Sequence, residues 1–286
     1  MITDVSTERP PHIVLIEPIV RRALEEDLGR AGDLTSDLII PADQSDKVRL
    51  VARASGTLAG LPCVECAFRL IDSSIGFRAT LRDGSRVSPG DTIALIDGHT
   101  RGILSAERVA LNFIGHLSGV ATATQQLLDA VAGTKARIVC TRKTTPGLRI
   151  LEKYAVRCGG GFNHRFGLDD AVLIKDNHIA AAGGIRPAVE RARRGLGHMV
   201  EIEVEVDTLD QLDEALSLNV RKILLDNMTP SQLNNAVERA AGRAVLEASG
   251  GITLETVREI AETGIDYISS GAITHSASNL DLALDF

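Results

Sequence analysis

At 286 residues, 44% of them hydrophobic, the chain has material for one large domain or two modest ones, and no apolar run approaches the ~20 residues of a membrane-spanning helix. Its 38 acids outweigh 31 Lys and Arg for a net charge of -7, and with 3% aromatics and no Trp it lacks the broad basic bias and the stacking rings of a nucleic-acid binder. Four cysteines are too few for a disulfide framework, which implies reduced thiols in a cytoplasmic protein, and the polar opening Met1–Pro11 is not expected to be a secretory leader.

In chain order, residues 13–28 predict an amphipathic helix with Pro18 near its start, followed by a loop over Gly32–Ser36. Residues 47–58 alternate as a strand. Cys63-Val64-Glu65-Cys66 has the form of a C-x-x-C, but no second pair or suitably spaced His accompanies it, so the stretch to Ile71 reads as a helix that buries small thiols. Phe77–Val87 and Thr92–Ile96 read as strands joined by the turn Ser88-Pro89-Gly90-Asp91. Ser105 is expected to cap a helix running to Ile114. This is an N-terminal α+β sandwich domain over 1–115, to which the tail 276–286 is assigned.

From about residue 136 the rhythm changes. Short apolar runs recur at 138–140, 171–174, 202–206, 222–225, 244–246 and 267–268, each followed by a helical stretch. The spacing of roughly 20–30 residues is that of βα units, six to seven of them. The expected fold of 116–275 is therefore an incomplete TIM-like α/β barrel, with a doubly wound sheet as the competitor. The runs end in polar groups: Thr141-Arg142-Lys143, Lys175-Asp176-Asn177-His178, Asp207, Asp226-Asn227, Ser249-Gly250-Gly251 and Ser269-Ser270-Gly271. The C-terminal strand ends of α/β barrels form the active-site face, so these groups are expected to share one mouth.

Charge is concentrated there. Residues 135–175 hold nine Lys or Arg against three acids, a local balance of +6 that leaves -13 for the rest of the chain. An island of that kind suits a small, multiply charged anion. Arg142 and Arg165 offer two-pronged carboxylate contacts, and His164 and Lys175 offer further donors. Arg149, Lys153 and Arg157, four apart, read as a solvated helix face. In Glu201–Asp207 acids alternate strictly with aliphatics. On an edge strand the acids would be solvated; in a barrel the aliphatics meet the helices, which turns Glu203 and Glu205 inward toward the cations. The small residues after the last strands allow backbone N–H groups to approach a phosphate.

Thr141-Arg142-Lys143-Thr144-Thr145-Pro146-Gly147, Gly159-Gly160-Gly161-Phe162-Asn163-His164-Arg165, Leu173–His178, Glu203–Asp207, Leu224–Asn227, Glu247–Gly251 and Ser270–Ser276, in this order, resemble the quinolinate phosphoribosyltransferase family. The resemblance implies phosphoribosyl transfer from phosphoribosyl pyrophosphate to quinolinate, with Mg²⁺ as cofactor and loss of CO2, giving nicotinate mononucleotide for NAD synthesis. It assigns Arg142, His164, Arg165 and Lys175 to quinolinate and Lys143 to pyrophosphate. Glu205 and Asp226 would hold ribose hydroxyls or the metal, and Ser249, Gly250, Gly251, Ser270 and Gly271 the 5′-phosphate. Arg108 would reach a neighbouring subunit's site, in a homodimer or a hexamer built as a trimer of dimers. The partners implied are small molecules, not nucleic acid or membrane. Two alternatives stay open: a molybdenum-associated paralogue acting on another substrate, and a non-catalytic barrel that senses a phosphate ligand.

Overall fold

The structure is a computed structural model that describes residues 9–286, so most of the Met1–Pro11 opening lies outside the described residues. The chain forms two compact units. The first takes in the chain through Gln125, Thr144–Gly160 and Ile273–Phe286; the second takes in Gln126–Lys143 and Gly161–Ala272.

In the first unit, helix α1 (Ile13–Leu28) buries Ile16, Val20 and Leu24 at four-residue spacing, which places one apolar stripe against α3 (Leu61–Ile71). Between them, the Gly32–Ser36 segment read as a loop instead begins helix α2 (Leu34–Ile39). Asp33 caps it, accepting from Ser36 N at 3.0 Å, a sequence signal that the adjacent glycine obscured. The stretch read as one strand over 47–58 divides into β1 (Ser45–Ala52) and β2 (Gly56–Thr57). Likewise 77–87 divides into β3 (Gly76–Ala79) and β4 (Arg86–Val87). With β5 (Thr92–His99) and the C-terminal β12 (Leu282–Asp285), β1 and β3 form an antiparallel sheet of order β12-β1-β5-β3. β2 pairs with β4. The buried thiols Cys63 and Cys66 lie in α3, as the apolar reading of that segment expects.

Helix α4 (Thr100–Ala130) runs for 31 residues. Ser105 therefore lies inside it and is not its cap; its hydroxyl donates to Asp33 Oδ2 at 3.1 Å. Helix α5 (Arg149–Cys158) is not a solvated face. Glu152 and Lys153 are both fully buried, because Leu151, Tyr154 and Ala155 are buried as well and the helix is enclosed on several sides. The Glu152 carboxylate accepts from Thr145 N at 3.1 Å and lies 2.8 Å from His116 Nε2. Tyr154 donates to Asp83, which also accepts from Gly60 N and Leu61 N at the start of α3. Gly159, at the end of α5, sits so close to α4 that a Cβ would overlap the Ala121 carbonyl and the Thr124 side chain.

The second unit is a parallel sheet of six strands: β6 (Arg137–Val139), β7 (Val172–Ile174), β8 (Ile202–Val206), β9 (Lys222–Asp226), β10 (Val245–Ser249) and β11 (Tyr267–Ser269), in the order β6-β11-β10-β9-β8-β7. Phe162 forms a parallel bridge with Val139 on the free side of β6, so a single residue occupies part of the gap toward β7. The crossovers carry α6 (Asp176–Ala182), α7 (Ile185–Gly195), α8 (Leu209–Ser217), α9 (Pro230–Ala240) and α10 (Val257–Glu262), and α11 (Ala272–His275) follows β11. Thr208 with Gln211 and Thr229 with Gln232 form reciprocal capping boxes that start α8 and α9 directly behind the strand ends. This is the incomplete TIM-like barrel that the spacing predicts. Val204 and Val206 are fully buried, with α8 packed on β8, while Glu203 and Glu205 take the opposite, interior face.

Gly159→Ala is expected to destabilise the protein by about 1–3 kcal/mol, because the overlapped atoms include backbone that cannot rotate away. Denaturant unfolding checks this; a midpoint equal to wild type would show that α5 can shift freely.

Candidate active site

The register of the barrel brings reactive groups to one level. Asp226 aligns with Ser249, and Ser249 with Ser269, at the C-terminal ends of β9, β10 and β11. Arg142 and Lys143 follow β6, Lys175 follows β7, and His164 and Arg165 follow the Phe162 bridge. Together they line a cavity of about 570 Å³ that also takes in Glu205, Glu247, Asn227 and Gly250-Gly251. The sequence-predicted Lys143, Glu205, Asp226, Arg142, His164, Arg165, Lys175, Ser249, Gly250 and Gly251 all meet there.

Charges in this cavity include close pairs and two neighbouring guanidiniums. Lys175 Nζ donates to Glu205 Oε2 at 2.9 Å, and His164 Nε2 lies 3.0 Å from Glu203 Oε2. Arg165 Nη1 donates to the Ala171 carbonyl at 3.0 Å, while its buried Nε makes no hydrogen bond. Burial lowers the Arg165 pKa, and the neighbouring Arg142 lowers it further, against the opposing pull of Asp170 and Glu203. Two guanidiniums held together in this way favour an anion between them. At the other side of the mouth, burial and then Asp207 raise the Asp226 carboxyl above the usual carboxylate range, opposed by Lys175 and by the Asn227 amide, which donates at 2.7 Å.

The loop after β10 is shaped for close approach. Gly250 and Gly251 have φ of +95° and +63°, and a Cβ on Gly250 would overlap the Asn227 side-chain oxygen. Glycines at both positions leave no Cβ in the way, so an anion could approach the backbone N–H groups closely.

Arg108, Ser270 and Gly271 do not line this cavity. Arg108 is exposed on α4, in the first unit. The Ser270 backbone N–H is spent on the Val139 carbonyl at 3.0 Å, and Ser269 lines the cavity in its place. Glu247 lines it without having been singled out from the sequence, and Asn227 and Ser269, expected at the mouth only as polar strand ends, line it as well. Glu247 was legible in principle: in β10 it stands between buried Leu246 and Ala248, the same alternation that turns Glu203 and Glu205 inward.

Residues 33–118 match the family described as "Quinolinate phosphoribosyl transferase, N-terminal domain", and residues 120–285 match its C-terminal domain. The chain is 45% identical over 260 residues to a probable nicotinate-nucleotide pyrophosphorylase (carboxylating) of Bacillus subtilis, across 91% of this chain and 89% of that one. It is 46% identical over 274 residues to the nicotinate-nucleotide pyrophosphorylase (carboxylating) of Mycobacterium leprae, across 93% and 95%. Among solved structures, NadC from Streptococcus pyogenes superposes with a TM-score of 0.94 at 40% identity, covering 97% of this chain and 98% of that one. The nicotinate-nucleotide pyrophosphorylase from Francisella tularensis superposes at 0.93 with 39% identity, covering 99% of both.

Gly250→Ala is expected to weaken a phosphate-bearing ligand about tenfold or more, the loss of one or two hydrogen bonds to a charged group. Titration calorimetry against nicotinate mononucleotide checks this, and unchanged affinity would remove the cradle from the β10 loop.

Proposed function

The chain belongs to the quinolinate phosphoribosyl transferase family, and we infer that it transfers the phosphoribosyl group of phosphoribosyl pyrophosphate to quinolinate, releasing pyrophosphate and CO2 and forming nicotinate mononucleotide. The observation that carries this is the meeting of Arg142, Lys143, His164, Arg165 and Lys175 with Glu205 and Asp226 in one cavity. Such a site suits two substrates that bring two carboxylates, a phosphate and a pyrophosphate. The relatives favour neither the molybdenum-associated reading nor the sensing reading.

Quinolinate sits between Arg142, Arg165, His164 and Lys175, where its two carboxylates relieve the repulsion of the paired guanidiniums. The Gly250-Gly251 turn and Ser249 hold the 5′-phosphate, and Lys143 meets the pyrophosphate. As the bond from C1′ to pyrophosphate breaks, positive charge grows on the sugar, and the Glu205 and Asp226 carboxylates stabilise and orient it. The ring nitrogen then takes the C1′ position and becomes cationic, which stabilises the electron pair left when the adjacent carboxylate departs as CO2. The protein positions the reactants and neutralises their charges, and no covalent intermediate with the protein is needed.

Mg²⁺ is the cofactor this reading calls for. Asp226 fits it: an oxygen ligand at the mouth, carrying an excess of negative charge beside Asp207. Glu205 fits less well, since its Oε2 is already taken by Lys175. Asp226 would hold the ion together with donor oxygens, and the ion would neutralise the departing pyrophosphate.

Arg108 is assigned to a neighbouring subunit's site, in a homodimer or a larger assembly of dimers. It lies one turn beyond Ser105 on α4, on the face where Arg101 donates to the Ile40 carbonyl and Ser105 to Asp33. The adjoining α2 leaves Leu34, Leu38 and Ile39 exposed, and an apolar group of this kind supports burial against another subunit. No described helix is long and apolar enough to cross a membrane. The four buried free thiols support the assignment to a reducing cytoplasm.

Incubation with quinolinate, phosphoribosyl pyrophosphate and Mg²⁺, followed by assay of nicotinate mononucleotide and CO2, tests the function; no product means a different substrate. In the same assay nicotinate should be the poorer acceptor by about tenfold or more, because it leaves a buried cation unmatched. Comparable kcat/KM for the two acids would remove quinolinate as the preferred substrate. The shared site is tested by mixing. Arg108→Ala and Lys175→Ala homodimers should each be nearly inactive. A mixed dimer has one site with both lesions and one with neither, so activity should return to a fraction of wild type. Confirmed subunit exchange without recovery would place Arg108 outside the partner's site.

A further inference from the structure

Toward the strand starts the barrel interior holds a second cavity, of about 300 Å³, lined by Glu203, Lys222, Val245 and Tyr267 among others. His164, Arg165 and Glu247 line both this cavity and the main one. The side chains of His164, Glu203 and Glu247 come close enough to enclose a metal ion by spacing alone.

The hydrogen bonding of His164 points elsewhere. Its Nδ1 accepts from the Arg165 backbone N–H at 2.7 Å. The neutral ring therefore carries its proton on Nε2 and turns a donor, not a lone pair, toward the carboxylates. Glu203 Oε2 takes that donor at 3.0 Å, whereas Glu247 Oε1 is 3.7 Å away, buried, and makes no hydrogen bond. An ionised carboxylate so enclosed beside Glu203 is unfavourable. A protonated one is a neutral acid, with the Ser269 hydroxyl beside it at the main cavity.

The reaction assigned above needs an acid at that level. When the C–C bond to the departing carboxylate breaks, CO2 leaves and its electron pair stays on the ring carbon, which must bond to one proton. Arg142 and Arg165 are too basic to give one up, and Lys175 is held by Glu205. We propose that Glu247 supplies the proton that replaces quinolinate's departing carboxylate. The proposal rests on the phosphoribosyl-transfer reading. The ring carbon gains a C–H bond, Glu247 is left ionised, and solvent entering by the strand-start cavity returns its proton.

Burial first and Glu203 second push Glu247 up to about 7, while His164, Ser269 and Lys222 pull it down. Tyr267 pairs beside it on β11, and Arg165, Asp170 and Glu201 line the same strand-start cavity. Glu247 must hold its proton to act, so kcat should fall as pH rises through about 7.

The test is Glu247→Gln, which keeps the shape and neutrality of the protonated acid, so melting temperature and quinolinate Kd should stay at wild-type values. We expect kcat to fall by about a hundredfold and its decline above neutral pH to disappear. Unchanged kcat, or a lower kcat that retains the same alkaline decline, overturns the proposal. If Glu247→Gln does not fold, Glu247→Asp decides: a displaced midpoint or lower kcat supports the role, and a profile superimposable on wild type overturns it. Wild type runs alongside. Its failure to form product overturns the function reading and this inference together, whereas wild-type turnover with an indifferent Gln variant overturns the inference alone.

Discussion

Inward-facing carboxylates on β8 can exist only because hydrogen-bond donors from the neighbouring strand ends meet them. Glu205 is answered by Lys175 and Glu203 by His164, each across about 3 Å. Removing one partner would strand the other in a poorly hydrated interior, where an uncompensated charge is strongly unfavourable. The rest of the mouth follows from that pairing. Beside these pairs Arg142 and Arg165 lie near enough that each disfavours the other's charge, an arrangement that suits an anion between them. The charges that keep the barrel interior stable therefore also line its cavity.

The barrel was legible because parallel strands leave two marks that survive without tertiary knowledge: short apolar runs at βα spacing, and polar residues at their ends. The interior acids were legible because Glu203 and Glu205 share one strand with Val204 and Val206 and so reveal a face. Glu247 escaped because it is the one acid of β10, so its alternation with Leu246 and Ala248 is seen only once. Ser269 was read only as a polar strand end and Ser270 as the phosphate contact, because sequence does not show which N–H a loop leaves available, and Ser270 gives its own to Val139.

The first unit was harder to read, and for a different reason. Burial there is imposed by segments far apart in the chain. Arg149, Lys153 and Arg157 look solvated by spacing, yet Lys153 is enclosed because α5 is surrounded within its unit. Ser105 looks like a helix start, but apolar residues continue α4 on both sides of it, and its hydroxyl serves Asp33 instead.

One feature of chain routing constrains what this architecture can become. The boundary between the two compact units falls after Lys143 and again after Gly160, inside the stretch that carries Arg142, Lys143, His164 and Arg165. The units are thus interwoven by the very peptide that carries this cationic set. A gene fragment encoding the barrel alone would have to join Lys143 to Gly161, and it would discard the helix between the two halves of the cationic set. Exchange of this barrel among proteins as a freestanding cassette is closed to recombination at a single breakpoint, and the lineage is expected to inherit both units together.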